Sequence, residues 1–270
     1  MSLAKSSAKA YKSRNFLKDF SMSAMQPRTE EFLRGLSFFN GLPETDILAL
    51  LEVGTIHNYS KNQHLYFHGD RAETLFVVLG GCIKTYSQTI EGEESVIALV
   101  TKGHMVGEAA IFDGAIYPFS ACAIEKCEVF ELNAALLKKH AKASPELAVK
   151  IMNILADEVI DLQHGKEHMA IMNAPQRVGC MLLKLSGGIV GKGGTFMLPY
   201  DKSLAASNLG MKPETFSRAL KELKTHGVTV KGSEITIDNF EALSEHCCGH
   251  CSSITGGCKG DRREEKTGAG

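Results

Sequence analysis

The chain has 270 residues, enough for two modest domains with separate cores, and 44% hydrophobic with 23% charged residues is the composition of a globular protein, not of a disordered one. No apolar run is long enough to cross a bilayer, and the basic, Ser-rich start lacks the continuous apolar core of a secretory signal, so a cytoplasmic protein without membrane contact is expected. A net charge of −1 leaves nucleic-acid binding open, because charge can be segregated along a chain.

Residues 1–31 read as a flexible basic arm. Over residues 1–28, Lys5, Lys9, Lys12, Arg14, Lys18 and Arg28 stand against one acid, Asp19, and Phe16, Leu17 and Phe20 interrupt an otherwise small and polar stretch. From Phe32 to about Glu52 the pattern is helical, broken at Gly41-Leu42-Pro43. Short strand candidates follow: Leu65-Tyr66-Phe67, Thr74 to Leu79, Cys82 to Ser87, Ser95 to Val100, Ala121 to Ala123, and Glu128 to Leu132. Gly69-Asp70, Gly80-Gly81 and Glu91-Gly92-Glu93 punctuate them as turns. Many short strands with regular turns predict a β-barrel or jelly roll over residues 32–143.

Ser144-Pro145-Glu146 opens a helix, with Ser144 as N-cap and proline in the first position. Ala148, Ile151, Leu155, Val159 and Leu162 recur at spacings of three and four, the seam of a helix packed on another helix. It runs to about Met172, before Asn173-Ala174-Pro175 breaks it. Residues 144–173 are therefore read as a dimerisation helix. A further helix spans about Pro175 to Leu185.

The segment KSLAASNLGMKPETFSRALKELKTH, from Lys202 to His226, carries the functional reading. Lys202 to Leu209 is a short helix, Gly210 supplies a left-handed turn residue, and Lys212-Pro213-Glu214 opens a second helix with Phe216, Leu220 and Leu223 as its buried stripe. The small Ala205 and Ala206 permit close approach, as a helix-turn-helix requires. Opposite the stripe lie Glu214, Ser217, Arg218 and Lys221, with Lys212 at the start. An arginine there can pair with guanine O6 and N7, and a glutamate can accept from a cytosine amino group. Val228 to Val230 and Glu234 to Ile237, joined by Lys231-Gly232-Ser233, form a wing. Between 174 and 240, nine basic residues stand against five acids, the excess that phosphate binding favours. Residues 174–242 are read as a winged helix-turn-helix; an ordinary helical hairpin with solvated charges would lack the wing.

The order of β-roll, long helix and winged helix-turn-helix resembles the CRP/FNR family of bacterial regulators over about residues 32–240. The similarity rests on HGDRAETLFVVLGGCIK (Gly69, Leu79, Gly81, Cys82, Ile83 and Lys84), on GHMVGEAAIFDG at 103–114, and on KPETFSRALKEL. The resemblance implies an α+β protein with a cyclic-nucleotide-binding-like β-roll, acting as a homodimer on double-stranded DNA with RNA polymerase as protein partner. It implies that Glu214, Ser217 and Arg218 read a TTGAT-like half-site within an inverted repeat. Cyclic-nucleotide-responsive members hold phosphate with an arginine–serine pair downstream of Gly-Glu; here Gly107-Glu108 is followed by Tyr117-Pro118-Phe119-Ser120, and the missing arginine argues against cyclic AMP.

Eight cysteines do not form a dense disulfide framework. Cys247, Cys248, Cys251 and Cys258 cluster in a tail, residues 243–270, and in a reducing compartment such a cluster points to metal or redox chemistry. The tail resembles that of family members holding a [4Fe-4S] cluster on three C-terminal cysteines and a carboxylate. Cys248, Cys251 and Cys258 are then ligands, with Cys247, Asp157 or Asp161 as the fourth. Zinc, with His246 or His250 joining the thiolates, is the main competitor, and a thiol switch or an inert tail remain. Haem in the β-roll, as in the Dnr branch, would draw on His57, His64, His68 or His104, none at a spacing that marks an axial ligand. A cupin-like metalloenzyme is the alternative class; no two-His-one-carboxylate set supports it.

Overall fold

The computed structural model describes residues 27–36, 38–89, 92, 94–113, 116–186 and 193–247. Helix α1 (Pro27–Arg34) begins inside the stretch read as an arm, and α2 (Glu44–Val53) follows the Gly41 turn. The Arg34 guanidinium pairs with both Glu30 and Glu44, which joins the two helices.

The β-roll comprises β1 (Thr55–Tyr59), β2 (His64–Tyr66), β3 (Thr74–Gly80), β4 (Cys82–Gln88), β5 (Glu94–Thr101), β6 (Met105–Val106), β7 (Ser120–Ala123) and β8 (Cys127–Asn133). Two four-stranded sheets form, in the orders β1-β8-β3-β6 and β2-β7-β4-β5. The all-apolar centre of β3, Leu75 to Leu79, lies between β8 and β6 and is buried on both faces. Phe39, Leu75, Phe130, Leu132, Leu137 and Leu147 fill the space between sheets and helices. Helix α3 (Glu108–Asp113) follows Gly107, and α4 (Ala134–Ala143) starts on Asn133, whose side chain accepts from the amides of Ala135 and Leu136.

Helix α5 (Pro145–Ile171) has its predicted start: the Ser144 hydroxyl oxygen accepts from the Leu147 amide and its O–H donates to Asp46 at 2.5 Å. The first part of its apolar stripe, Leu147 and Ile151, is buried against the roll. The rest is not: Val159 is 53%, Leu162 69% and Met169 68% exposed. Met172 and Asn173 separate α5 from α6 (Ala174–Leu185), which opens on a capping box between Asn173 and Gln176.

The C-terminal unit adds β9 (Gly194–Met197), α7 (Lys202–Asn208), α8 (Pro213–Glu222), a 3₁₀ turn (Leu223–His226), β10 (Val228–Lys231), β11 (Glu234–Ile237) and α9 (Phe240–Cys247). Its core of Val178, Leu182, Ala205, Phe216, Leu223, Ile235 and Leu243 also takes in Cys82 from the roll, with Leu99 and Ile124 alongside. The two units are thus packed together, α7 lying against β5.

Candidate nucleic-acid interface

Asp201 caps α7, its carboxylate accepting from the Leu204 amide at 2.8 Å. The turn closes on Gly210 at φ +60, where the Gly210 amide donates to the Ser207 carbonyl and the Met211 amide to the Ala206 carbonyl. This pair of bonds is the Schellman ending, which needs a left-handed residue and so favours glycine. Proline then starts α8, and Glu214 in its first turn and Lys221 in its last both complement the helix dipole.

Phe216, Ala219 and Leu220 are buried, while Lys212, Glu214, Ser217, Arg218 and Lys221 are exposed. None of the ion pairs among the described residues engages these four charged side chains, so they face solvent with their full hydrogen-bonding capacity. The 3₁₀ turn after α8 ends on Gly227, at φ +78, and the chain turns into the wing. The wing is a three-stranded sheet, β10-β11-β9. Sequence reading gave Phe196 and Met197 no element; β9 pairs with β11, Phe196 opposite Ile235.

At the sensor end, Tyr117 fills the space beside Gly107, whose Cβ would meet the Tyr117 ring at 2.9 Å. Tyr117 stacks on Tyr66 at 3.6 Å, and its hydroxyl bonds both the carbonyl and the amide of Thr74. Burial pushes the Tyr117 phenol up to about 12. Ser120 accepts from the His68 amide. Glu108 has one buried carboxylate oxygen without a hydrogen-bond partner. Across from it Glu158, on α5, has a carboxyl pushed up to about 9, first by burial and then by the adjoining Glu108 and Asp161 carboxylates. Sequence reasoning missed this pairing of α3 with α5, which only tertiary structure brings about. His64, one of the haem candidates, is held by the Tyr86 hydroxyl at 2.8 Å and stacks on Phe67.

The tail begins differently from its sequence reading. Residues 240–247 form α9, which packs on α6, so the compact C-terminal unit extends past 242 to Cys247. Cys247 is buried, its sulfur filling the space over Gly179 where a Cβ would otherwise sit. The ring of His246 stacks on His226 at 3.6 Å, and burial, then the His226 charge, lowers its pKa. Asp157 is exposed and Asp161 half-buried on α5. Cys248, His250, Cys251 and Cys258 lie outside the described residues. Among the described residues no three His, Cys, Asp or Glu side chains gather to hold a metal ion, so Cys247 does not join Asp157 and Asp161 in one site. A core position explains Cys247: Phe240, Leu243 and Cys247 recur on the face of α9 that meets α6.

Comparison with known proteins agrees with this architecture. Residues 56–143 match the cyclic nucleotide-binding domain, and residues 176–246 match the Crp-like helix-turn-helix domain. The anaerobic regulatory protein of Pasteurella multocida is 31% identical over 68% of this chain and 69% of its own length. The chain belongs to the CRP/FNR family of transcription regulators. The fumarate and nitrate reduction regulatory protein of Escherichia coli K12 is 29% identical over 72% of this chain and 78% of its own. The structure of FixK2 from Bradyrhizobium japonicum covers 72% of this chain and 96% of its own at 27% identity, with a TM-score of 0.62. As a CRP/FNR regulator the chain binds DNA and dimerises, and the metalloenzyme alternative falls away. The helix-turn-helix match runs to residue 246, through α9, in keeping with the packing of that helix.

Proposed function

We propose that this chain is a cytoplasmic homodimeric regulator whose α5 helices form the seam and whose two α8 helices read an inverted repeat of a TTGAT-like half-site, with RNA polymerase as its protein partner. The observation that carries the reading is the solvent-facing set Glu214, Ser217, Arg218 and Lys221 above a buried Phe216–Leu220 stripe. Arg218 reads guanine, Glu214 a cytosine amino group, Ser217 a neighbouring base edge, and Lys212 and Lys221 hold phosphates. The exposed Val159, Leu162 and Met169 supply the apolar seam. Titration of a TTGAT-N4-ATCAA duplex at several salt concentrations tests the site; affinity no better than for a scrambled duplex sinks it.

We further propose that the tail responds to oxygen, nitric oxide or redox state through a [4Fe-4S] cluster. The names of the Pasteurella and Escherichia relatives, an anaerobic regulator and a fumarate and nitrate reduction regulator, support a respiratory signal. Cys248, Cys251 and Cys258 would hold the cluster, and the burial of Cys247 favours a carboxylate, Asp157 or Asp161, as fourth ligand. Bound by thiolates, such a cluster supplies redox-reactive iron and sulfide. Cyclic AMP has no part in this reading, since the Tyr117-Pro118-Phe119-Ser120 stretch offers no cation for its phosphate. Anaerobic purification with a visible spectrum and assays for iron, sulfide and zinc is the test. A colourless, iron-free protein containing zinc overturns the cluster, and a sharp haem band moves the sensor into the roll. Serine at Cys248, Cys251 and Cys258 is expected to abolish the response.

A further inference from the structure

Arg177 stands in the first turn of α6, and its Nη1 donates to the carbonyl of Leu209 at 3.2 Å. Leu209 caps α7, one residue before the left-handed Gly210. The Schellman bonds of that turn occupy the carbonyls of Ala206 and Ser207, and the Leu209 carbonyl takes its partner from Arg177. The Arg177 Nε is buried with no hydrogen-bond partner, and no carboxylate among the described residues pairs with the guanidinium. A half-buried cation is thus held at the helix-turn-helix bend by a neutral carbonyl. Burying a charge with incomplete pairing costs free energy, so packing alone is a poor reason for an arginine here. Helix α6 is itself fixed at its start by the Asn173–Gln176 capping box, directly after α5 ends. One side chain therefore connects the segment following the long helix to the bend that sets α8 against α7.

We propose that Arg177 is a positioning residue for base reading. Through the Leu209 carbonyl it fixes the turn from Leu209 to Lys212, and so the placement of Glu214 and Arg218 in the groove, without touching DNA itself. A lysine retains a donor but not the planar fork that fixes direction.

The test uses the full chain and the duplex that the wild type itself selects from a randomised pool, so that its outcome does not depend on the TTGAT-like half-site. Arg177→Met is expected to lose on the order of tenfold in affinity for the selected duplex. Affinity for a scrambled duplex and the salt slope are expected to stay unchanged, and Arg177→Lys is expected to recover part of the loss. Equal losses on both duplexes, or no loss at all, refute the proposal. A salt slope shallower by about one makes Arg177 a phosphate contact and also refutes it. Should Arg177→Met fail to fold, the same comparison is read on Arg177→Lys. That variant is then expected to keep the wild-type circular dichroism and to show a partial loss of discrimination; unchanged discrimination refutes the proposal.

Discussion

Replacing Gly179 by alanine would drive a methyl group into the Cys247 sulfur, with the Leu243 Cδ1 at 3.3 Å and the Leu223 Cδ2 at 3.7 Å. Two effects compete. The helix gains about 1 kcal/mol when glycine becomes alanine, and overpacking a filled core costs about 1–3 kcal/mol. The Leu243 methyl is the end of a flexible side chain and can yield, but the sulfur lies on a helix already packed on α6. The net expectation for Gly179→Ala is a loss of about 1 kcal/mol. Cys247→Ala removes one buried heavy atom and leaves a small void, at a cost of roughly 1–1.5 kcal/mol.

The double variant discriminates between readings of Cys247. The new methyl at 179 occupies the volume that the sulfur vacates, so overpacking and void cancel, and the helix gain remains to offset the lost contacts. Stability close to wild type is expected, with a coupling energy of about 2 kcal/mol between the two positions. Urea unfolding of the reduced, iron-free chain measures it, with unchanged slopes as the check that compactness is the same. Additivity within about 0.5 kcal/mol refutes the packing argument. Iron analysis of Cys247→Ala purified without oxygen supplies the second arm. Retained iron leaves Cys247 in the core, and lost iron makes it a ligand.

Further outcomes are expected. Leu162→Glu, at a position 69% exposed, is expected to raise the dimer dissociation constant at least tenfold while leaving the urea midpoint of the monomer unchanged, as read by sedimentation equilibrium. Arg218→Ala is expected to lose about 1–3 kcal/mol on the selected duplex and to relax preference at one base pair. The Glu158 carboxyl is raised from 4.5 to about 9, so the contribution it makes is complete below pH 4.5 and is lost as pH rises through about 9; Glu158→Gln is expected to flatten the stability profile across that window. His246 is lowered below 6.5, so its contribution is present above pH 6.5 and lost as pH falls through the folded value; His246→Phe, which keeps a ring on His226, is expected to remove that acid-side loss in unfolding experiments.

The elements that sequence reasoning recovered are those whose signal is local. Ser144-Pro145 carries its own cap and Gly210 its own turn, and the Phe216–Leu220 spacing shows the buried face of α8 without any partner in view. What escaped depends on contacts distant in sequence. Strand β1, Thr-Ile-His-Asn-Tyr, is a half-exposed edge strand whose identity comes from its register with β8. Helix α4 was legible in principle, since Asn133 is a good cap before an alanine- and leucine-rich turn, yet the strand-rich pattern around it masked that signal. In α9 the cysteines drew attention to chemistry, while the three- and four-residue spacing of Phe240, Leu243 and Cys247 marked a core face. The apolar repeat of α5 reads as one seam in the sequence; the structure divides it into a part that packs on the roll and a part left exposed.

The position of α9 constrains how a cluster on the tail would act on DNA binding. The last turn of the helix touches two places that matter. The His246 carbonyl accepts from Gln176 at 3.2 Å, and Gln176 also bonds the Asn173 amide in the capping box that follows α5. The His246 ring stacks on His226 at the end of the 3₁₀ turn leading from α8 to the wing. Ligation by the proposed tail cysteines, beginning at Cys248, would therefore pull on a helix whose neighbours are the junction between α5 and α6 and the far end of α8. Such contacts transmit a signal only if the ligated tail favours one arrangement of these elements over another. His246→Ala removes the stacking partner while leaving the tail thiols in place, and so separates transmission from sensing. In that variant the iron content is expected to match wild type and the effect of oxygen on DNA affinity to shrink. An undiminished oxygen effect would place transmission elsewhere, with the exposed seam of α5 and its Glu158–Glu108 contact as the remaining route from helix to roll.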